Sequence, residues 1–337
     1  MKKLLIVLSI IGFMFAEGKI SGVTYFDFSA TDTKSAFNFE RQYFGYGGEV
    51  SDKVSYKILF DVGRINNKSL YTWSVKEGDS LKVTEDTRLV TYLKKAQINY
   101  KTTFGKFNFG LIGMNTYGVQ ESNWGYRFIE KSALDKYGFS ATADIGVGFS
   151  RSLIDNLNLS LLLVNGEGYK KPQGDEYYKI AFNTTYGESN LNKNDGYNAG
   201  VVYTTEASDT DPTTMASVFG GFAGMGLRLG GEYDMRTKAG GYEANIISIS
   251  ANYGVRENLD AFVRIDMHDP DTKYTYDKET YAEEDDKDKL SSNYIIAGIV
   301  LACDGGISVA PNLRIVNYEN AEKDSEMEYK VNFQFKF

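Results

Sequence analysis

The chain contains very little cysteine, histidine and proline. Cys303 is the only cysteine, so the sequence cannot form an intramolecular disulfide framework. His268 is the only histidine, and nothing in the sequence places a nucleophilic serine beside it as a serine hydrolase would require. A glycine-rich phosphate loop, metal-ligand spacing and a basic stripe for nucleic acid are also missing. The sequence therefore predicts no enzyme, no cofactor, no metal site and no nucleic-acid partner.

Long apolar runs are confined to the amino terminus. Lys2 and Lys3 precede an apolar stretch over residues 4–15, and the small residue Ala16 follows it. This pattern predicts a secretory signal peptide over residues 1–16, too short for a membrane-spanning helix. Its removal takes away two lysines and shifts the formal charge from −8 to −10. Residues 17–337 are then expected to form a single domain without any membrane-spanning helix.

Aromatic residues and glycine are abundant. The chain has 25 Tyr, 21 Phe and 34 Gly but only 4 Pro, a composition that favours many strands over helices. A soluble β-sandwich could share this composition. The order of residues along the chain must therefore separate it from a membrane protein.

The carboxyl terminus alternates strictly between apolar and polar residues. The apolar positions end on three phenylalanines: Met327, Tyr329, Val331, Phe333, Phe335 and Phe337. An apolar face that becomes aromatic at its end is typical of a strand whose outer side touches lipid. The terminal Phe337 also resembles the assembly signature of outer-membrane proteins. Because a sandwich would bury such a face equally well, alternation by itself leaves both folds open.

The connections decide between the two folds. Sixteen candidate strands occupy residues 19–29, 36–48, 53–62, 91–101, 106–115, 137–150, 157–165, 177–186, 196–206, 214–223, 226–237, 243–254, 258–268, 290–301, 305–316 and 326–337. Every second connection is short, although 188–195 is longer than the rest, and most intervening connections are long. We therefore predict an all-β, transmembrane antiparallel β-barrel with short periplasmic turns and long external loops. Strands 19–29 and 214–223 alternate poorly, which leaves 14 or 18 strands as alternatives.

Charged residues fall on one face of these strands, where a barrel would hold its lumen. A cation on the lipid face near the membrane midplane would cost about 2–4 kcal/mol. The predicted lumen-lining residues are Lys53, Lys57, Asp61, Lys95, Asp144, Arg228, Glu232, Asp234, Arg236, Arg264, Asp266, Arg314 and Lys330. In strand 137–150, the residues expected to face outward include Phe139, Ala141 and Ala143. For any one of these residues, a ladder of paired charges that braces the inner wall is favoured over a specific binding ladder.

The connection 116–136 is the best candidate for a functional segment. It carries mixed charges together with three aromatic residues, Trp124, Tyr126 and Phe128. The predicted constriction residues are Glu121, Arg127, Glu130, Lys131, Asp135 and Lys136. Folded into a pore, such charges would orient solutes and discriminate between ions. The alternative is an external loop with a solvated helical turn.

Several stretches resemble a porin family of Gram-negative-type bacteria, loosely related to the phosphate-selective porin O and P group. They include residues 39–44, 54–57, 60–64, 123–131, 140–148 and 165–169, and the resemblance extends over residues 37–65 and 90–172. It implies a barrel of sixteen or eighteen strands, usually trimeric, that passes small hydrophilic solutes. Phosphate selectivity is not carried over, because an arginine-rich lumen is not evident in the sequence.

The sequence thus favours an outer-membrane porin that acts by passive diffusion, without a cofactor. The second hypothesis is a structural or surface-interaction barrel whose loops bind a partner. Expected partners are outer-membrane lipids and lipopolysaccharide, the outer-membrane assembly machinery, and two further copies of the chain in a homotrimer. The acidic run 283–288 could hold divalent cations near lipopolysaccharide, but it lacks the glycine-centred spacing of a calcium loop. A solvated loop is the favoured interpretation of that run.

Overall fold

The computed structural model describes most of the chain after the predicted signal peptide. The described residues are 18–64, 71–74, 82–85, 88–238, 241–272, 290–319 and 323–337. The predicted signal peptide 1–16 and the acidic run 283–288 lie outside them.

Sixteen strands form one closed antiparallel barrel, as predicted. The barrel strands are β1 (Lys19–Ala30), β2 (Ser35–Glu49), β3 (Val54–Arg64), β6 (Leu89–Lys101), β7 (Lys106–Gly113), β8 (Ala143–Ile154), β9 (Leu157–Val164), β10 (Lys179–Gly187), β11 (Gly196–Glu206), β12 (Thr213–Gly224), β13 (Leu227–Lys238), β14 (Tyr242–Arg256), β15 (Leu259–Asp269), β16 (Ser292–Cys303), β17 (Ile307–Tyr318) and β18 (Glu326–Lys336). Two short strands, β4 (Tyr71–Ser74) and β5 (Lys82–Glu85), pair separately. Two short helices, α1 (Gly118–Trp124) and α2 (Ala133–Lys136), lie between β7 and β8.

The two ends of the barrel differ in their connections. The end that holds both termini, the turn end, has the connections 50–53, 102–105, 155–156, 188–195, 225–226, 257–258 and 304–306. The opposite end, the loop end, has the longer connections, including 114–142 and 165–178. At two of the tight turns Asn156 and Met225 adopt positive φ, 63° and 55°, which a two-residue hairpin often requires.

The first and last strands close the barrel. Phe26 of β1 stacks on Phe333 of β18 with ring centroids 4.8 Å apart. The main chains of Gly22 and Phe337 exchange two hydrogen bonds of 2.9 and 3.1 Å. A Cβ on Gly22 would overlap the Phe337 ring, so the ring packs directly over the glycine. Closure leaves no unpaired strand edge, which a lipid environment would penalise.

The outer surface of the barrel is apolar. Exposed side chains on alternate positions include Ile145 and Val147 of β8, Ile247 and Ile249 of β14, and Val218 of β12. Within the described residues, no helix has the length and apolar character needed to cross a membrane.

Among the four register irregularities in the barrel pairing, the β-bulges in β2 and β6 change which charged side chains point inward. In β2 the pairing with β1 skips Glu40, because Tyr25 faces Arg41 while Phe26 faces Phe39. In β6 the pairing with β3 skips Lys94. An extra residue in one strand lets two consecutive side chains point to the same face. Both bulges place a pair of adjacent charged residues inside the barrel.

The buried core lies inside the barrel and not between two sheets. Residues 114–142, which we call the inner loop, enter the interior and pack on the inner wall. Three apolar clusters join this loop to strands on the wall. The predicted strand 137–150 is therefore shorter at its start, since β8 begins at Ala143. Phe139, expected to face outward, is buried in the interior instead.

Deleting Phe337 should weaken barrel closure. The deletion removes two main-chain hydrogen bonds to Gly22, each contributing about 0.5–1.5 kcal/mol, and uncovers the glycine. We expect the folded form, which migrates faster on gels, to convert to the unfolded form at a lower temperature. Phe104→Ala, which alters an exposed aromatic in a turn at the same end, is the matched control. Equal transition temperatures for the deletion and the wild type would contradict the role of this seam.

Candidate functional site

The inner loop crosses the interior as two short helices joined by an extended segment. Within the described residues, the hydrogen bonds that it makes to barrel strands involve only β9 through β18. Asn115 marks one limit of this contact, donating to Ser160 of β9 at 3.1 Å. Asn332 of β18 marks the other, donating to Phe128 O at 3.3 Å. The loop therefore covers one side of the interior.

Arginines of the wall satisfy the carbonyl groups of the inner loop. Each donates to a different carbonyl: Arg228 to Trp124, Arg236 to Gly138, Arg264 to Lys131 and Arg314 to Ile129. A non-helical segment inside a barrel leaves carbonyls without partners, and unpaired buried groups are costly. These arginines, which lie on the three strands β13, β15 and β17, remove that cost and fix the path of the loop.

Two acidic groups add ion pairs to the contact between the inner loop and the wall. Glu130 of the loop accepts from Tyr294 at 2.9 Å and lies 3.3 Å from Arg314. Asp266 of β15 pairs with Arg264 at 2.7 Å, and Lys136 of the loop lies 3.5 Å from it. Burial opposes ionisation of Glu130, but the nearby Lys136, Arg314 and Arg264 outweigh it and lower the pKa of Glu130 to about 2. Glu130 is therefore ionised in its contacts with Arg314 and Tyr294 of the wall.

Apolar side chains bury the rest of the contact. Trp124 and Tyr126 of the loop pack on Phe262 of β15 with ring centroids 5.7 and 5.6 Å away. Leu134 and Phe139 pack in a second cluster with residues of β11, β12 and β14. These wall residues are apolar although they face inward. Contact with the inner loop accounts for this, because it removes them from water.

Glycines let helix α1 approach the wall closely. A Cβ on Gly221 of β12 would lie 2.6 Å from the Asn123 side chain, and one on Gly230 of β13 would lie 3.0–3.1 Å from its neighbours, which include Asn123. Asn123 and Asn198 of β11 exchange two side-chain hydrogen bonds of 2.9 Å in this buried contact. The helix thus rests on backbone where larger side chains would hold it away.

The long turn 188–195 supports the same helix from the turn end. Asn190 and Asn192 both contact Ser122 of α1, at 3.0 and 3.4 Å. Arg228 bridges Asn192 and the carbonyl of Trp124. Leu191 is buried beneath the helix. This connection exceeds the other turns in length because it folds inward.

The side of the interior that the inner loop leaves uncovered contains two connected cavities. The larger, of about 640 Å³, reaches toward the turn end and is bounded by residues of β1, β3, β6 and the inner loop. The smaller, of about 280 Å³, reaches toward the loop end and is bounded by Tyr169 and Lys170 of connection 165–178. Lys94, Arg127, Asp135 and Thr142 line both cavities. These four residues mark the level at which the two spaces meet.

The lining of these cavities is strongly basic although the chain carries a net charge of −8. The cationic side chains are Arg41, Lys57, Lys94, Lys95, Arg127, Lys131, Lys170, Lys171, Lys193 and Lys336. The acidic side chains are Glu121, Asp135 and Glu167. Arg127 pairs with Glu121 at 3.3 Å and with Asp135 at 3.5 Å. The excess positive charge therefore lies mainly on the wall opposite the loop.

Four of the six predicted constriction residues line the cavities: Glu121, Arg127, Lys131 and Asp135. Glu130 and Lys136 do not. They point away from the open space toward the wall, where they pair with Arg314 and Asp266. The sequence could not separate the two groups, because the direction of a side chain on an irregular loop follows no simple period.

The predicted lumen-lining residues fall into distinct environments. Lys57 and Lys95 line the larger cavity. Seven residues lie inside the barrel on the wall that the inner loop covers: Arg228, Glu232, Asp234, Arg236, Arg264, Asp266 and Arg314. The sequence gives the inward direction of these side chains but not the loop that covers them.

The remaining predicted lining residues make local contacts. Asp61 pairs with Arg41 at 2.8 Å, and Lys330 pairs with Asp27 at 3.1 Å. Asp144 accepts from the backbone of Gly166 and so fixes the start of connection 165–178. Lys53 differs from the prediction, because it lies exposed in the turn before β3 and not in a strand.

Several cavity residues were not anticipated from the sequence. Arg41 and Lys94 were missed because the bulges shift them inward, against simple alternation. Their signal is nevertheless present, since each belongs to a charged doublet inside an otherwise alternating strand, Glu40-Arg41 and Lys94-Lys95. Lys170 and Lys193 come from connections that fold inward, which no local pattern indicates.

The residues that could support other chemistry lie in ordinary packing positions. His268 stacks on Tyr137 with centroids 4.2 Å apart, and Phe139 packs on its edge. Cys303 is exposed at the end of β16. Among the described residues, no group of three or more His, Cys, Asp and Glu side chains is placed to hold a metal ion.

Known structures share this architecture at low sequence identity. OmpF of Salmonella typhi, in complex with daunomycin, aligns over 96% of this chain and 98% of its own with a TM-score of 0.63 and 11% identity. The trimer form of the Vibrio cholerae outer-membrane protein OmpT aligns over 96% and 99% with a TM-score of 0.62 and 11% identity. The outer-membrane channel DcaP of Acinetobacter baumannii aligns over 96% and 97% with a TM-score of 0.61 and 14% identity.

The barrel has a porin-like fold. No family model and no curated protein sequence matches the chain. At these identities the comparison shows the fold alone. The resemblance to the phosphate-selective porin O and P group stays a prediction.

Replacing Glu130 should remove an acid-sensitive part of the stability. Because its pKa is lowered from 4.5 to about 2, Glu130 stabilises the folded state above pH 4.5, and this contribution is lost as the pH falls through 2. The full effect is on the order of 3 kcal/mol. Glu130→Gln should therefore lower the thermal transition at pH 7, and the difference from the wild type should disappear toward pH 2.

The exposed Glu257, in the turn before β15, provides the matched control. Glu257→Gln should track the wild type across the same pH range. A constant difference between Glu130→Gln and the wild type from pH 7 to pH 2 would show that ionisation of Glu130 does not stabilise the loop.

Proposed function

We propose that this protein is an outer-membrane porin, a water-filled channel for passive diffusion of small hydrophilic solutes and ions. The observation that supports the proposal is the pair of cavities that share Lys94, Arg127, Asp135 and Thr142. Together they extend from connection 165–178 at the loop end to Lys336 at the turn end. A barrel of this strand count is wide enough for an aqueous channel even with a loop inside.

The location of the inner loop suits this role. Its anchors to β9 through β18 hold it against one wall and leave β1, β2, β3 and β6 to face the open side. The open side is lined by ammonium, guanidinium, carboxylate and tyrosine hydroxyl groups, which water solvates well. We propose no enzymatic activity for this protein.

The apolar outer surface of the barrel supports a location in the outer membrane. The apolar outer band fits the hydrocarbon of an outer membrane, with the turn end toward the periplasm and the loop end toward lipopolysaccharide. Insertion would use the assembly machinery, with Phe337 as the recognition signature. A homotrimer is the proposed assembly, since the OmpT structure similar to this chain is a trimer form.

Narrowing the larger cavity should reduce ion flow. Leu59 of β3 lines this cavity, whereas Leu93 of β6 is exposed on the outer surface next to it. We expect Leu59→Trp to lower single-channel conductance in planar bilayers severalfold, because the added ring occupies part of the open space. Leu93→Trp places the same ring against lipid and should conduct like the wild type. A wild-type barrel that inserts without conducting would favour the structural or surface-interaction role instead.

Charges of the inner loop should set the ion preference. Arg127 and Lys131 line the cavities, and replacing both with Gln leaves Glu121 and Asp135 without Arg127. We expect the reversal potential in a salt gradient to shift toward cation preference. Charges on outer loops are screened beyond roughly 8–10 Å at physiological salt.

Substitutions on the outer loops test whether charges there are screened from the ions in the channel. Lys34→Gln, in an exposed connection at the loop end, should leave the reversal potential unchanged. Neutralising Asp285 and Asp286, which lie outside the described residues, should also have little effect. A larger shift from these outer positions than from Arg127 and Lys131 would contradict the proposed path of ions.

A further inference from the structure

Three lysines cluster on the wall of the larger cavity. Lys95 of β6 is paired with Leu59 of β3, and Lys57 is paired with Gln97, so the two lysines are diagonal neighbours across the strands. Diagonal neighbours in a sheet lie about 7–8 Å apart, within reach of long side chains. The bulge adds Lys94 to the same face, and all three line this cavity.

The carboxylates near this cluster are already engaged. Asp61 pairs with Arg41 at 2.8 Å and lies 3.7 Å from Lys94. Glu121 and Asp135 pair with Arg127. In the described part of the chain, Lys57 and Lys95 have no carboxylate within 4.0 Å. The cluster therefore carries two ammonium groups that form no ion pair with a carboxylate, although Glu121 on the inner loop attracts Lys95 from across the cavity.

Placing the like charges of Lys57 and Lys95 close together costs free energy, and no ion pair with a carboxylate offsets this cost. Like charges on neighbouring strands are destabilising, and partial removal from water increases the effect. The bulge at Lys94 adds a third positive charge to this face of the strand. Bulges are frequent next to functional sites. An arrangement of this kind is stabilised when an anion occupies the space between the ammonium groups.

The cavity also offers neutral hydrogen-bond donors. Tyr25 and Tyr43 line it together with the lysines, whereas the hydroxyl of Tyr117, which also lines it, donates to Thr142 O. Tyr43 is held beside the cluster, since Lys94 Nζ lies 3.3 Å from its hydroxyl. The volume of about 640 Å³ accommodates a small solute together with water. Cations, hydroxyl groups and space thus converge on one wall of the open side.

We propose that Lys57, Lys94 and Lys95 form a binding site for small oxyanions that carry two negative charges. Two ammonium groups without a paired carboxylate match a doubly charged ligand better than chloride or a monocarboxylate. Dicarboxylates and inorganic phosphate share this chemistry. The inference rests on the proposed channel function, because it assigns a solute class to the same open space.

The site would select its solutes while still releasing them. Lys131, Lys170 and Lys171 line the smaller cavity, so an anion that enters from the loop end meets positive charge before it reaches the cluster. At the other end, Lys193 and Lys336 continue the basic lining. A sequence of weak sites of one sign permits passage, whereas a single tight site would block it.

The test measures occupancy with succinate, phosphate and acetate. In planar bilayers, succinate, phosphate or both should reduce chloride current through the wild-type channel with saturation, and acetate should not. In Lys57→Gln/Lys95→Gln, the half-saturating concentration should rise about tenfold or more, because two charge-assisted contacts are lost. Lys57→Arg/Lys95→Arg keeps both charges and should retain saturation. Lys34→Gln should behave as the wild type.

Titration calorimetry of the purified barrel separates this inference from the channel proposal. Saturable heat from succinate or phosphate in a protein that does not conduct would support the site and refute the channel. Conduction without saturation by either dianion would overturn the site and leave the channel standing. Equal saturation in the wild type and the Gln double variant would also overturn it. A response to only one of succinate and phosphate would identify which of these two oxyanions the site binds.

Discussion

The need to satisfy backbone carbonyl groups inside the barrel organises this structure. The inner loop exposes carbonyls that its two short helices cannot pair, and water is largely excluded from its contact with the wall. Arg228, Arg236, Arg264 and Arg314 donate hydrogen bonds to these carbonyls from three different strands. Because arginine presents several donors in a fixed plane, each can pair with a carbonyl and with a side chain at once. The path of the loop and the location of the cavities follow from these contacts.

Strand positions and strand number could be predicted because they depend on local alternation and on connection length. The sixteen predicted strands match the sixteen barrel strands within a few residues at most ends. The largest difference, at residues 137–142, arises where apolar residues such as Phe139 continue the alternating pattern but pack in the interior. Alternation reports that a residue is covered, but it does not report whether lipid or protein covers it.

The same ambiguity explains the weakly patterned strand β12. Its inward residues Met215 and Phe219 are as apolar as its outward residue Val218, because the inner loop covers them. In the candidate site, the inward direction of charges was predictable, whereas the loop that covers most of them was not. Arg41 and Lys94 escaped prediction because a bulge changes the parity of every position beyond it. The period of side chains along a strand predicts which face a residue occupies, but the residues that pack against that face depend on tertiary contacts.

The glycines under helix α1 have a consequence for the size limit of the barrel interior. Gly221 and Gly230 allow the helix to rest on the main chain of β12 and β13, as far as possible from β3 and β6. A side chain at either position would crowd Asn123 and displace helix α1 from the wall toward the open side. In the channel that we propose, the exclusion limit for solutes would therefore depend on the wall opposite the lysines. Substitution of either glycine would change this limit while Lys57, Lys94 and Lys95 stay the same.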